Sequence, residues 1–179
     1  KQQFPALNTI HLSINLSSLQ FHYDTLISSL TETFMKYGLQ GADIAFEITE
    51  TAIIQDMALA QRVITQLKEL GCAIHLDDFG TGYSSLNHLS DFAIDVIKID
   101  RSFVNKSLTD SKQQKIVKGL INLAHKLDIK CTAEGVEHLE QSAMLKAEDC
   151  TFGQGYLFSK PLNKMAMKEY FISYFKASL

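Results

Sequence analysis

The segment AIHLDDFGTG, residues 73–82, ends an apolar run with two adjacent acids, Asp77 and Asp78, and then turns at once through Gly-Thr-Gly. Like charges repel, and removing both from water is unfavourable unless an opposite charge lies between them. The pair is therefore typical either of a solvated turn or of a site that holds a cation. The other strand ends of the chain distinguish these alternatives.

The composition is that of an ordinary globular domain, with 179 residues, 46% hydrophobic and 21% charged, which is enough to bury a core. A formal net charge of −3 does not indicate a basic groove for DNA or RNA. No apolar run approaches the ~18 residues of a membrane span, and no signal-peptide pattern opens the chain. Cys72, Cys131 and Cys150 are far apart and form no CxxC motif, which favours reduced thiols in the cytoplasm.

Strand-like and helical patterns alternate along the chain. Predicted strands cover residues 10–16, 44–48, 73–76, 94–99 and 129–133, with a brief segment near 152. Predicted helices cover residues 26–37, 57–70, 112–127, 139–146 and 164–176. This alternation predicts one α/β domain, residues 1–179, with a parallel sheet and helices outside it. Five or six strands are too few to close an eight-strand barrel, so the sheet is either doubly wound and open or a barrel without its first units.

The last predicted helix carries an apolar stripe, which predicts a core or subunit contact. The stripe consists of Met167, Tyr170, Phe171, Tyr174 and Phe175.

Polar side chains mark the end of every predicted strand. In chain order they are Asn15, Glu47 with Glu50, Asp77 with Asp78, Lys98 with Asp100, and Glu134 with Glu137. Because the carboxyl ends of parallel strands meet at one rim, we expect these groups to converge there. A lone Asp after a strand is usually a helix N-cap, as we expect for Asp91 and Asp110, but polar ends on five separate strands favour a shared site.

The residue types of this set select its chemistry. The six histidines are scattered and the cysteines have no zinc spacing, whereas amide and carboxylate oxygens suit Mg²⁺ or Mn²⁺. Adjacent Asp77 and Asp78 suit two ions about 3.5–4 Å apart, and two such ions with a lysine favour phosphate-ester hydrolysis. The alternative is an isomerase or aldolase in which Lys98 forms a Schiff base, but the surrounding carboxylates would keep that lysine protonated.

At these residues the chain resembles the EAL domain family of bacterial phosphodiesterases, which hydrolyse cyclic di-GMP to linear pGpG. The resemblance covers residues 14–162, through SINLSSLQF, FEITET, LDDFGTGYSSL, VIKIDRSFV, AEGVE and QGYLFSKPL. It implies a TIM-like (β/α) barrel of the EAL type with one early antiparallel strand, a site with two Mg²⁺ or Mn²⁺ ions, and cyclic di-GMP as the ligand.

The resemblance also implies roles for individual residues. The implied metal ligands are Asn15, Glu47, Asp77, Asp78 and Glu134, with Asp77 bridging. Glu134 would alternatively act as base toward the attacking water, and Lys98 would hold that water or the developing charge. Glu50 would anchor a mobile loop over the site, residues 79–86, which includes Phe79, Gly80, Thr81 and Gly82. Asp100 and Glu137 would support the site from behind, and Gln154 would lie at the rim near the substrate.

The family's Glu-Ala-Leu motif is missing from the chain. Its glutamate is a metal ligand, and it lies upstream of the SINLS strand, with which this chain nearly begins. We therefore interpret the chain as an N-terminally truncated domain whose barrel is incomplete and which is inactive alone. The parent protein is interpreted as an active phosphodiesterase, and segments outside this chain could tether it to a membrane. The alternatives are a non-hydrolysing cyclic di-GMP receptor or a protein-interaction domain, and the resemblance also allows a homodimer.

Overall fold

The computed structural model describes residues 10–80 and 91–176, in which six strands form one sheet. The strands are β1 (Leu12–Asn15), β2 (Ile44–Thr49), β3 (Ala73–Phe79), β4 (Val96–Ile99), β5 (Lys130–Ala133) and β6 (Phe152–Gly153). The helices are α1 (Ser18–Phe21), α2 (Leu26–Tyr37), α3 (Glu50–Gln55), α4 (Met57–Glu69), α5 (Arg101–Lys106), α6 (Ser111–Lys126), α7 (Leu139–Ala147) and α8 (Lys164–Lys176), with a 3-10 turn at Gly41–Asp43.

The strand order decides between the two sheet types that the sequence allows. The order in the sheet is β1-β2-β3-β4-β5-β6, and every neighbouring pair is parallel. A doubly wound sheet reverses its strand order at a switch point, and these six strands contain no reversal. Connections between parallel strands are right-handed, and here each one leads to the next strand in the same direction across the sheet. Such connections place their helices on one face of the sheet. The fold is therefore a curled, incomplete TIM-like barrel, and the antiparallel strand of the family is not among the described strands.

The two faces of the sheet differ in composition. The outer face, covered by helices, carries Phe46, Ile48, Ile74, Leu76, Ile97 and Ile99, each at most 2% exposed. Buried residues of α4 and α6, such as Leu67 and Val117, belong to the same core cluster. The inner face carries the alternate residues, among them Glu47, His75, Asp77, Lys98 and Thr132. Alternation along each strand thus separates an apolar core from a polar concave surface.

Short helices follow three of the strands directly, and the periodicity of the sequence does not predict them. Each begins after a residue suited to cap it. The Thr49 hydroxyl accepts a hydrogen bond from the Ala52 amide before α3, and the Asp100 carboxylate accepts one from Ser102 before α5. Asp110 caps α6 as expected, accepting from the amides of Lys112 and Gln113. The bounds of the longer helices lie within a residue of the predicted ones.

The stripe on α8 is not part of the core in its described portion. Met167 and Tyr170 are 40% and 36% exposed, and Phe171 is partly buried, so the core interpretation is wrong for these residues. The side chains of residues 174 and 175 lie outside the described part of the structure. None of the described helices combines the length and the apolarity needed to cross a bilayer.

Candidate active site

A β-bulge places the two adjacent acids of β3 opposite Lys98 of β4. The register pairs Leu76 with Ile97 and then Phe79 with Ile99. Two residues, Asp77 and Asp78, therefore face one, Lys98, which is the pattern of a bulge. Asp78 adopts a left-handed backbone conformation, with φ of 56°, which Asp tolerates better than most residues. The bulge keeps both acids at the level of the lysine.

Lys98 is the centre of an ion cluster that joins four strands. Its Nζ lies 2.7 Å from Glu47 Oε2, 3.1 Å from Asp77 Oδ1 and 2.7 Å from Glu134 Oε1. Only 4% of the lysine side chain is exposed, and 11–18% of the three acids. The carboxylates come from β2, β3 and the end of β5, and the lysine from β4, as expected for parallel strand ends. The ammonium group is thus the opposite charge that makes the paired acids of β3 tolerable.

The electrostatics of the cluster keep Lys98 charged. Burial would lower the pKa of Lys98, but hydrogen bonds with Glu134 and Glu47 outweigh it, and the pKa is raised well above its ordinary value. A Schiff-base lysine must lose its proton to act as a nucleophile. The cluster therefore disfavours the aldolase-type chemistry that the sequence left open.

Two acids of the site hold their protons more tightly than usual. Burial raises the pKa of Glu134, against the opposing effect of its hydrogen bond with Lys98. Burial and the charge of Asp77 raise the pKa of Asp78. A carboxylate with a raised pKa is suited to exchanging protons during a reaction.

Two further predicted residues lie on β1 and directly after β2, the strand that carries Glu47. Asn15 ends β1 and pairs in register with Glu47, on the inner face and exposed. Glu50 is buried at the start of α3, directly after β2.

The two predicted supporting residues, Asp100 and Glu137, follow β4 and β5 in the chain. Asp100 caps α5, and although burial raises its pKa, hydrogen bonds from Ser102 and the Arg101 amide lower it overall. Glu137 is exposed at the surface.

Gln154 lies next to Glu134 through the backbone. Its amide donates to Ala133 O at 2.8 Å, and its carbonyl accepts from Val136 at 3.0 Å. It lines a cavity of about 750 Å³ on the inner face, together with Glu47, Lys98 and His75. The cavity extends from the ion cluster toward the amino ends of the strands, where Ala73 and Lys130 line it. Gln154 therefore lies beside Glu134 at the carboxyl-end rim and also borders the interior of the curled sheet.

Only part of the predicted loop over the site falls within the described residues. Phe79 is not in a loop but is the last residue of β3, 2% exposed, because it pairs with β4 beyond the bulge. Gly80 follows with φ of +91°, which only glycine adopts readily. Thr81 and Gly82 lie outside the described residues.

The sequence analysis missed two groups that shape the site. His75 and Phe158 line the inner cavity, and burial lowers the pKa of His75. Gln141 is 1% exposed, and its Oε1 accepts from the amides of Glu137 and His138 while its Nε2 donates to Val104 O. Gln141 thereby fixes the segment that follows Glu134. The signal for it is its place as the third residue of α7, a capping-box position.

The donor atoms of the site fit a hard divalent cation in type. Within residues 10–80 and 91–176, however, no three Asp, Glu, His or Cys side chains converge closely enough to hold one. Lys98 Nζ lies among three of the acids and supplies the positive charge in this arrangement.

Comparison with known proteins gives the family. The model of the EAL domain matches residues 1–161. The chain belongs to the EAL domain family. This EAL chain is 35% identical over 167 residues to the cyclic di-GMP phosphodiesterase PdeR of Escherichia coli, a match that covers 93% of the chain and 25% of PdeR. The resemblance and fold class predicted from the sequence are confirmed.

Solved EAL structures share the fold. The EAL domain of Mycobacterium smegmatis DcpA gives a TM-score of 0.84 at 34% identity, over 92% of this chain and 74% of that one. Klebsiella pneumoniae BlrP1, solved as a manganese and cyclic di-GMP complex, gives a TM-score of 0.80 at 32% identity, over 87% of this chain and 40% of that one. The EAL chain therefore spans about a quarter of PdeR and less than half of BlrP1.

Proposed function

We propose that this EAL chain, residues 1–179, belongs to a metal-dependent phosphodiesterase that hydrolyses cyclic di-GMP to pGpG in the cytoplasm. The observation that carries the proposal is the buried cluster of Lys98 with Glu47, Asp77 and Glu134 at the carboxyl ends of parallel strands. The family of the chain and the named activity of PdeR support it. Homodimerisation stays a prediction.

The proposed cofactors are two Mg²⁺ or Mn²⁺ ions. The oxygens that would hold them are those of Asn15, Glu47, Asp77, Asp78 and Glu134, and the manganese complex of BlrP1 supports this choice of metal. Bound divalent ions would supply the positive charge that activates a water and stabilises the leaving oxygen. Asp77, at the bulge, is the residue proposed to bridge the two ions.

The protein's own groups would do the rest of the chemistry. Lys98 is permanently charged, so it would stabilise negative charge that develops on the phosphoryl oxygens. Glu134, whose pKa is raised by burial, would take a proton from the attacking water. Glu50 would anchor the segment after β3, Asp100 and Glu137 would support the site, and Gln154 would contact the substrate.

A non-hydrolysing cyclic di-GMP receptor is the second candidate. What supports it is that BlrP1, a related EAL structure, was solved with cyclic di-GMP bound, and binding alone does not require turnover. The rim at the carboxyl ends of the strands would then hold the nucleotide without cleaving it. The two candidates differ in whether metal ions produce turnover.

A hydrolysis assay on a completed domain separates these candidates. The chain is joined to the N-terminal strands of the DcpA EAL domain, and pGpG release from cyclic di-GMP is followed by chromatography with Mg²⁺, Mn²⁺ or EDTA. We expect turnover with either metal, none with EDTA and none from the 179-residue chain alone. A Lys98→Met variant should lose turnover, whereas Lys118→Met, at a surface ion pair with Glu148, should not. Nucleotide binding without turnover in any metal would refute the proposed enzyme activity and support the receptor function.

A further inference from the structure

Two of the three cysteines, far apart in the sequence, are neighbours in the fold. Cys131 lies on the outer face of β5, and Cys150 follows α7 just before β6. The parallel pairing of β5 with β6 matches Thr132 to Phe152 and brings the two Sγ atoms to 3.6 Å. Both are free thiols in the structure, as the sequence analysis expects, but they are in contact.

The pair combines one buried thiol with one that a small molecule can reach. Cys131 is fully buried, whereas Cys150 is partly exposed. Cys150 also lines a cavity of about 300 Å³ with Lys146, Leu145 and Phe158. A reagent as small as hydrogen peroxide fits such a cavity and meets the sulfur of Cys150 first.

The surrounding polar atoms treat the two sulfurs differently. Cys150 Sγ lies 3.3 Å from the carbonyl oxygen of Phe152 and 3.8 Å from that of Cys131, both acceptors for a thiol proton. Cys131 Sγ lies 3.9 Å from the Thr151 hydroxyl, which can donate to it. The Cys131 thiol donates toward Cys150 Sγ at 3.6 Å. Cys150 is therefore the sulfur that accepts a hydrogen bond from its partner.

We propose that Cys131 and Cys150 form an oxidisable dithiol, which hydrogen peroxide converts into an intrachain disulfide that joins β5 to the start of β6. A disulfide has an S–S distance of about 2.05 Å, so the sulfurs need to approach by only about 1.5 Å from their separation of 3.6 Å. The two segments are already joined beside the sulfurs, because the Cys131 amide donates to the hydroxyl of Thr151, the residue after Cys150, at 3.2 Å.

The reaction balances with peroxide as the oxidant. Cys150 sulfur attacks one peroxide oxygen, the O–O bond breaks, and the departing hydroxide takes the Cys150 proton and leaves as water. Cys131 sulfur then attacks the sulfur of the Cys150 sulfenic acid, the S–S bond forms, and the S–O bond breaks as the oxygen departs with the Cys131 proton as water. Two electrons pass from the two sulfurs to peroxide.

The disulfide would act on the strands that carry two candidate site residues. β5 ends at Ala133, next to Glu134, and the two-residue β6 leads directly to Gln154. A covalent bond between these strands would fix their relative position. Without it, the pairing of β5 with β6 extends over only two residue pairs, Thr132–Phe152 and Ala133–Gly153. Such a bond is expected to be transient in a reducing compartment and to persist under oxidative stress.

The test is oxidation of the reduced chain by hydrogen peroxide, followed by intact mass, thiol counting after denaturation and peptide mapping. We expect a loss of about 2 Da, a fall from three free thiols to one, and a peptide that links Cys131 to Cys150. Dithiothreitol should restore all three. Three free thiols after treatment, a disulfide between chains, or sulfinic acid at Cys150 without a disulfide would overturn the proposal.

Single substitutions test the assigned roles. Cys72→Ser is the matched control, because Cys72 precedes β3 and β4 lies between it and Cys131; it should still lose two thiols. Cys131→Ser, or Cys131→Ala if the serine does not fold, should stop at a Cys150 sulfenic acid that dimedone traps. Cys150→Ser should leave Cys131 unmodified because it is buried. Dimedone labelling of Cys131 in Cys150→Ser would contradict the proposed order of attack.

Discussion

Neighbouring residues of one strand meet opposite environments on the two faces of the sheet. On the outer face, Phe46 and Ile97 are at most 2% exposed among other apolar side chains. One position further along each strand, Glu47 and Lys98 point to the inner face and bind each other at 2.7 Å. Both faces are largely out of solvent at this level, so burial alone does not distinguish them.

The difference lies in what replaces water on each face. The outer side chains exchange water for dispersion contacts, which stabilise the fold in proportion to the buried area. The inner side chains exchange it for ion pairs, whose desolvation offsets much of their attraction. We therefore expect outer-face substitutions to reduce stability, and inner-face substitutions to reduce activity, with Lys98 as the residue that affects both.

The largest expected effect is on the outer face. Phe46→Ala should lower the free energy of unfolding by about 3–5 kcal/mol, because it leaves a cavity between β2 and the helices. Leu12→Ala, on β1 but 61% exposed, should cost less than about 1 kcal/mol. Urea denaturation of both variants checks this, and equal losses would show that the outer face is not a packed core at Phe46.

Lys98→Met should be the most destabilising substitution on the inner face. It leaves three carboxylates close together without a counter-charge, at a cost of about 3 kcal/mol at pH 7. Lys118→Met, at a surface pair, should cost less than about 1 kcal/mol.

The pH dependence identifies the cause of that loss. In Lys98→Met the clustered acids of the folded state should have raised pKa values and bind more protons than the unfolded chain, so stability should rise as the pH falls from 7 to 5. In the unsubstituted chain, Lys98 adds no pH dependence to the stability between pH 7 and 5. Its pKa is raised, so its contribution to stability is already complete below the ordinary pKa of lysine. Denaturation midpoints at both pH values test this, and a loss that does not change with pH would refute repulsion between the acids.

On the inner face, Asp77→Asn should lower turnover of the completed domain by at least about 100-fold, or about 2.7 kcal/mol in the barrier. The physical reason is the proposed bridging position of Asp77, while the change in charge leaves the strand pairing intact. Steady-state pGpG production is the measurement, with Asp78→Asn as the comparison. Asp78→Asn should lose less activity and recover part of it in Mn²⁺; near-normal turnover of Asp77→Asn in Mg²⁺ would refute the bridging role.

The smallest expected effect is that of Glu47→Gln on stability, within about 1 kcal/mol. Lys98 retains Asp77 and Glu134 as partners, and removing one negative charge relieves repulsion among the acids. The matched outer-face change is Phe46→Ala, one residue away. A loss of stability from Glu47→Gln comparable to that of Phe46→Ala would remove the distinction between the faces.

Local patterns predicted most of the fold. Helical periodicity gave the bounds of α2 and α8, and apolar runs located the strands, because both depend on residues close in the sequence. Short α3 and α5 lack a full period, and only their caps, Thr49 and Asp100, signal them. Strand order depends on contacts between distant residues, so periodicity alone could not separate a doubly wound sheet from an incomplete barrel. Only the resemblance to EAL domains favoured the barrel.

The residues of the candidate site could be predicted from the sequence, but their arrangement in space could not. Polar strand ends pointed to Glu47, Asp77, Lys98 and Glu134, because parallel strands share one rim. The bulge that sets two acids against one lysine requires the register of β3 and β4. Likewise, only the pairing of β5 with β6 reveals that Cys131 and Cys150 are in contact.

The sequential strand order also bears on how the chain folds. Each strand pairs with the one before it in the chain, so every new strand–helix unit finds its partner already synthesised. Folding can then proceed as the chain leaves the ribosome, one unit at a time, without waiting for a distant segment to close a loop. Until the next unit arrives, the last strand made is the open edge of the sheet.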